Sequence, residues 1–155
     1  MNKHWTRWIM ASINTHFSSA ITLPYFIEGM DRETKDLTSF VEIRMDGPWF
    51  LELSANYWRV YIEVNIMIHT VMNDEDLYQP VKNIGNVTVA FQECISAYKY
   101  GNGDDDDDSQ LGCLQLVVER NDREQTKISN FGQIDKSVKL QQATVEAHYE
   151  MFLDV

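Results

Sequence analysis

The sequence predicts an α+β fold, in which an antiparallel β-sheet or half-barrel with long strands is flanked by an N-terminal helix and one central helix. Apolar residues recur at helical spacing near the start of the chain, and they alternate with polar residues over residues 57–72 and again over residues 138–153. Because 155 residues is the usual length of one domain, we predict a single structural and assembly domain spanning residues 1–155.

The first helix is predicted from an apolar stripe with steps of three and four residues. It ends at Leu23-Pro24, since the residue before a proline disfavours helical geometry. A stripe of this kind is most often core, but two tryptophans within one turn also suit a subunit contact, and both interpretations stay open. The stripe consists of Trp5, Trp8, Ile9, Ser12, Ile13, His16, Phe17 and Ala20.

A strand, a turn and a second strand are predicted next. Residues 25–38 mix a short apolar run with charged residues and indicate a loop. Apolar residues then alternate over 41–45, Asp46-Gly47-Pro48 supplies turn residues, and the alternation resumes over 49–53.

The clearest alternation lies over residues 57–72, where Trp58, Val60 and Ile62 begin an apolar face and Arg59 lies on the other face. Sixteen extended residues reach roughly 50 Å, against about 17 to 20 Å for an ordinary strand. A strand of this length must bend, break at a bulge, or extend to where another chain covers it.

The middle of the chain is predicted to form a loop, a helix and a strand. Residues 73–76 form a loop that leads into the helix, and the helix reaches about Glu93. Ile95, Ala97 and Tyr98 then form a strand.

In the last third of the chain, five adjacent aspartates at 104–108 predict a solvated hairpin loop. Residues 111–119 predict a strand, 120–123 a turn and 124–135 an irregular connection. The apolar phase of the final strand shifts midway, which predicts a bulge near Gln141-Gln142.

The net charge of −11 argues against DNA wrapping, because such binding needs Lys and Arg to displace counterions. Carboxylates do suit a channel that passes DNA without gripping it. Cys94 and Cys113 lie in no metal-like spacing and are expected to be reduced thiols. We expect no secretion signal, no membrane span and an aqueous, reducing compartment.

No sequence motif predicts catalytic, cofactor-binding or metal-binding residues, and the chain is not expected to be an enzyme. The aspartate run lacks the EF-hand pattern, since Ser109 and Gln115 stand where glycine and glutamate are needed. The best histidine constellation is His148 with Glu146 and Glu150, which alternate along one strand face.

The chain resembles the tail-terminator and head–tail connector proteins of tailed bacteriophages. The resemblance lies in the order of elements, in the segments 44–48 and 57–65, and in the closing segment 142–149. It implies a virion structural protein that forms a homo-oligomeric ring, of six or twelve subunits, around a DNA channel, with neighbouring neck or tail proteins as partners. The resemblance assigns no catalytic residue.

The leading hypothesis is therefore an assembly subunit of the phage neck or tail, in which strand edges add to neighbouring subunits. A small β-barrel that binds an apolar ligand between its Trp-rich segments is the alternative, and a hydrolase with a site around His148 is the third hypothesis. The candidate subunit-interface residues are Trp5, Trp8, Arg59, Tyr61, His69 and Tyr149.

Overall fold

A computed structural model describes residues 1–30, 33, 36–72, 76–100, 110–117, 126–135 and 140–154. A curled, half-barrel sheet of seven strands packs against two helices, which confirms the predicted α+β class. All strand pairs are antiparallel except the short β1–β2 pair. The elements are α1 (Trp5–Ala20), β1 (Tyr25–Ile27), β2 (Ser39–Ser54), β3 (Tyr57–Val71), α2 (Gln79–Thr88), β4 (Cys94–Tyr98), β5 (Gln110–Leu116), β6 (Lys127–Asp135) and β7 (Leu140–Asp154).

β3 is the central strand of the sheet, and it pairs along its whole length on both sides. Its register with β7 runs without a shift from Tyr57 opposite Asp154 to Val71 opposite Leu140, and β2 covers the other edge. The three long strands thus satisfy one another's backbone hydrogen bonds within one chain. Length alone therefore does not require a second chain to cover β3.

The sheet has the order β1-β2-β3-β7-β5-β4, with β6 also pairing to β7. The edge of β7 away from β3 is divided, because β5 pairs near Glu150 and β6 pairs from Glu146 to Leu140. At the other end of the sheet, β1 covers only residues 41–43 of β2. β2 and β4 therefore both carry open edges among the described residues.

Both helices pack on one face of the sheet, here called the inner face. The even-numbered residues of β3 from Val60 to Ile68 are buried there, as are the odd-numbered residues of β7 from Ala143 to Leu153. This confirms the predicted apolar face of β3. The buried Asn83 of α2 donates to both Ser39 Oγ and Thr70 Oγ1, each at 2.9 Å, and so fixes α2 to β2 and β3.

The predicted turn at Asp46-Gly47-Pro48 is wrong. β2 continues through it as one strand, and a bulge between Asp46 and Trp49 accommodates one extra residue opposite β3. Gly47 has a φ of 100° and precedes a cis proline. The chain reverses instead at residues 55–56, where Asn56 has a φ of 65°. The composition of this segment predicts a reversal of the chain, whereas in the structure it forms a bulge.

Two predictions in the last third of the chain also fail. Residues 127–135 form the strand β6, although their mixed polarity predicted an irregular connection. The bulge predicted near Gln141-Gln142 is absent from the β3–β7 register, and the irregular positions lie on β6, near Asn130 and Gln133. Leu140 lies opposite Val71, so the alternation of β7 continues through Gln141-Gln142 without a change of phase.

Other differences are small. α2 ends at Thr88, earlier than predicted, and β1 was not predicted. Cys94 and Cys113, expected as free thiols, are joined by a disulfide bond with their Cα atoms 5.6 Å apart, because β4 and β5 pair directly. The predicted loops at 73–75 and 101–108 and the turn at 120–123 lie outside the described residues.

Two glycine substitutions test this account of the β2 bulge. Gly47→Ala is expected to lower the free energy of unfolding by about 1–3 kcal/mol, because the positive φ disfavours a side chain. The new Cβ would also lie 2.9 Å from Trp49 Cε3. In the matched control, Gly85→Ala in α2 meets no atom within 4 Å. It should stabilise the protein by roughly 0.5–1 kcal/mol. Urea titration measures both changes, and a neutral Gly47→Ala would contradict the bulge geometry.

Candidate subunit interface

The face of the sheet that points away from the helices, here called the outer face, carries a continuous set of aromatic and charged side chains. The odd-numbered residues of β3 lie on this face and alternate with the buried even-numbered ones. Tyr61 stands opposite Trp49 of β2 and Glu150 of β7, and Arg59 stands opposite Leu51 and Phe152. The alternation of β3 thus brings side chains from three strands to one surface.

Arg59 lies at the centre of this surface. Its Nε and Nη2 atoms lie 2.8 and 2.7 Å from Glu150 Oε2, and its guanidinium carbon lies 5.6 Å from the centre of the Tyr61 ring. These contacts neutralise the charge and hold the side chain in one orientation. An arginine ordered in this way against an aromatic ring is typical of the residues that dominate protein–protein interfaces.

Four exposed apolar side chains surround Arg59, and we call them the apolar patch: Trp49, Leu51, Tyr57 and Phe152. Their exposed fractions are 50%, 56%, 39% and 45%. The rings of Tyr57 and Phe152 stack with centroids 5.8 Å apart, and the ring centroid of Trp49 lies 5.7 Å from that of Tyr61. Contiguous exposed apolar groups of this kind are typical of surfaces that bind another molecule.

A polar half of the outer face continues from Tyr61. The Tyr61 hydroxyl is hydrogen-bonded to His148 Nδ1, and Glu63 Oε1 lies 3.3 Å from the same nitrogen. The predicted grouping of His148 with Glu146 and Glu150 is not formed as a unit. Glu150 binds Arg59, and Glu146 Oε1 lies 3.5 Å from Lys127 Nζ. Each of these two carboxylates thus has its own cationic partner and forms a separate ion pair.

His69 lies at the far end of the outer face and is largely covered, with 11% of its side chain exposed. Its ring stacks on Phe40 at 4.6 Å, and Nε2 lies 3.0 Å from Glu42 Oε1. The pair is held within the protomer, so His69 offers little surface to a neighbour.

The two predicted tryptophans of α1 belong to the protomer. Trp5 is 4% exposed and packs against Phe50 and Trp58 in the core. Of the two interpretations that the sequence left open, core packing is therefore the one observed. Trp8 is half-buried and donates from Nε1 to the Tyr100 carbonyl at 2.8 Å. The Trp-rich segments therefore pack on each other, where the alternative hypothesis expected them to line a ligand pocket.

Tyr149 is fully buried, and its hydroxyl donates to the Gln92 carbonyl at 2.9 Å. Burial raises the pKa of Tyr149 well above its usual range, because the charged form would lose its hydration. A residue in this position cannot contact a neighbouring subunit.

Of the six predicted interface residues, the structure thus places Arg59 and Tyr61 in the candidate surface. The apolar patch around them was missed. The sequence did contain a signal for this patch. Three consecutive residues of β2, Trp49, Phe50 and Leu51, are apolar, so apolar side chains lie on both faces of the strand, and only one face can pack against the core.

Within the described ranges, no three His, Cys, Asp or Glu side chains converge to hold a metal ion. No helix in the described part of the chain is long and apolar enough to cross a membrane. Comparison with known protein families finds none that matches the chain, and comparison with curated proteins finds no similar sequence.

Tyr149, which is buried, and Tyr25, which is half-buried, predict a loss of stability at alkaline pH. Burial also raises the pKa of Tyr25, so both hydroxyls stay neutral in the folded protein while the unfolded chain loses their protons above about pH 10. Each tyrosine should then lower the free energy of unfolding by up to about 1.4 kcal/mol per pH unit.

Tyr149→Phe should cost about 1 kcal/mol at neutral pH through its lost hydrogen bond, and should reduce this alkaline slope. Tyr25→Phe provides the parallel variant. Urea titrations between pH 8 and pH 11, the range that brackets the tyrosine pKa of about 10, measure the slope. An unchanged slope in Tyr149→Phe would contradict the burial described above.

Proposed function

We propose that this protein is a structural subunit that assembles with further copies of itself into a closed ring through the outer face and the open edges of its sheet. The apolar patch around Arg59 carries the proposal. Its four side chains lie on one surface, next to a charge that is already neutralised. A lone protomer leaves this surface in water, whereas a second subunit would remove it from water at about 25 cal/mol per Å² of apolar area.

A second copy of the chain is the partner that the charge distribution favours. The chain carries a net charge of −11, so two copies repel over most of their surfaces. At the apolar patch, the charges of Arg59 and Glu150 neutralise each other. The electrostatic repulsion between two copies is therefore lowest there.

The open edges of the sheet favour a ring over a two-fold dimer. The edges belong to different strands, β2 and β4, and a contact between unlike surfaces repeats around a ring until it closes. We place the ring in the neck or tail of a tailed bacteriophage, as a tail terminator or connector, on the strength of the sequence resemblance. Six or twelve subunits would surround an axial channel, and an acidic wall would let DNA pass without binding it.

Charge substitutions test the proposal. Trp49→Glu and Leu51→Glu should each shift the protein from a closed oligomer to smaller species, because a buried unpaired carboxylate opposes association. Val81→Glu on α2 is the matched control, since Val81 is 62% exposed and lies away from the outer face. Native mass spectrometry and light scattering at micromolar concentration measure the assembly.

Circular dichroism and thermal melting should show that all three variants remain folded. A wild-type protein that stays monomeric, or a Trp49→Glu variant that assembles as the wild type does, would contradict the proposal.

A further inference from the structure

The disulfide between Cys94 of β4 and Cys113 of β5 lies on the side of these strands that faces away from the core. In the β4–β5 register, Cys113 stands opposite Ser96, two residues along from Cys94, so the bond links diagonal neighbours on one face of the strand pair. Ile95 and Leu114 stand opposite each other and are buried. Because side chains alternate along a strand, the two cysteines point the other way.

Solvent reaches this disulfide through Cys94. Cys94 is exposed, whereas Cys113 is half-buried. Cys94 also lines an open groove between α1 and β4, and the residues of that lining include no Asp, Glu, Lys or Arg. A thiolate can therefore approach Cys94 Sγ without meeting a carboxylate of the groove. Exposed disulfides are typically the labile or regulatory ones, since exchange requires access of the attacking thiol to a sulfur atom.

One part of β5 depends on β4 for its place in the sheet. Residues 110–114 pair with β4 and, within the described residues, with no other strand. β5 reaches β7 at Gln115 and Leu116. We call residues 110–114 the β4-paired half of β5. Cys113 belongs to this half, so the disulfide is its covalent link to β4.

β4 itself is held at both ends without help from β5. At its end, Tyr98 donates its N–H to Ser12 Oγ of α1 at 2.9 Å. Just before its start, the Gln92 carbonyl accepts a hydrogen bond from the Tyr149 hydroxyl of β7, also at 2.9 Å. Loss of the disulfide would therefore leave β4 in place and weaken the attachment of the β4-paired half of β5.

We propose that the Cys94–Cys113 disulfide is a reversible redox switch, which fastens the β4-paired half of β5 to β4 when oxidised and releases it when reduced. The reductant is a dithiol. One of its thiolates attacks Cys94 Sγ, the bond between the two cysteine sulfurs breaks, and Cys113 leaves as a thiolate that takes up a proton. The second thiol of the reductant then attacks the mixed disulfide and releases Cys94, which also takes up a proton. Two electrons pass to the cysteine pair, and the dithiol becomes a cyclic disulfide.

The switch changes the edge of the sheet. β4 has one open edge in the oxidised protein, and release of residues 110–114 would open its second edge as well. The free thiols that the sequence predicts and the disulfide in the structure are then the two states of one device. Every contact involved lies within one protomer, so the switch goes beyond the proposed ring and does not depend on it.

A redox titration of the folded protein provides the first test. The protein is equilibrated with mixtures of reduced and oxidised dithiothreitol in the absence of denaturant, and free thiols are then labelled with a maleimide and counted by mass spectrometry. The chain has two cysteines, so the labelling reports this pair alone. We expect complete and reversible reduction, with circular dichroism showing that the protein remains folded. A pair that is reduced only after denaturant is added would overturn the proposal.

Hydrogen exchange of the β5 amides provides the second test. Leu116 donates its N–H to the Glu93 carbonyl at 2.9 Å, and such bonds recur at alternate residues, so the amides of Gly112 and Leu114 bond to β4. Reduction should speed their exchange by about tenfold or more, because the open state gains conformational entropy once the two cysteines are no longer joined. Val117, which donates to the His148 carbonyl at 2.9 Å, is the reference and should stay more protected.

A variant that combines Cys94→Ser and Cys113→Ser is the matched control. It lacks the disulfide in every buffer, so its Gly112 and Leu114 amides should exchange as in the reduced wild type and should not respond to dithiothreitol. Unchanged exchange of these amides in the reduced wild type would overturn the proposal, and so would an equal response of the double variant to dithiothreitol. If the double variant does not fold, the wild-type measurement decides by itself.

Discussion

The pairing of β3 along both of its edges is the constraint on which the rest of the molecule depends. Fifteen residues of β3 find partners on β7 without a register shift, and β2 covers the other edge. Because side chains alternate along a strand, this register sends every even-numbered residue of β3 inward and every odd-numbered one outward. The helices then have one apolar surface on which to pack.

The same register decides what remains available to another molecule. Inner-face burial uses Val60, Ile62 and Ile66, and it leaves Arg59 and Tyr61 on the outside beside apolar residues of β2 and β7. The curled sheet also ends in two unlike edges, since a three-residue β1 cannot cover a sixteen-residue β2. An exposed apolar surface and two unlike edges are the features that our proposal of assembly connects.

Local patterns in the sequence predicted a large part of the fold. Helix α1, the alternation of β3 and the inward face of β7 follow from periodicity, which acts within a few residues. Errors arose where a distant strand decided the outcome. Asp46-Gly47-Pro48 has turn composition but forms a bulge within β2, because β3 pairs with β2 on both sides of it, and β6 is a strand because β7 pairs with it. For the interface, alternation along β3 was enough to predict that Arg59 and Tyr61 lie on the outer face. The exposure of Trp49 could not be predicted in this way, because it depends on which face of β2 the helices cover.

Native-state hydrogen exchange of the β3 amides tests the central claim most directly. If pairing on both edges makes the three long strands one cooperative unit, amides from Val60 to Ile68 exchange only through global unfolding, with a single opening free energy. That free energy should equal the value from urea titration of the same sample. Opening of the half of β3 near Tyr57 at a distinctly lower free energy, independent of the half near Ile68, would contradict the account.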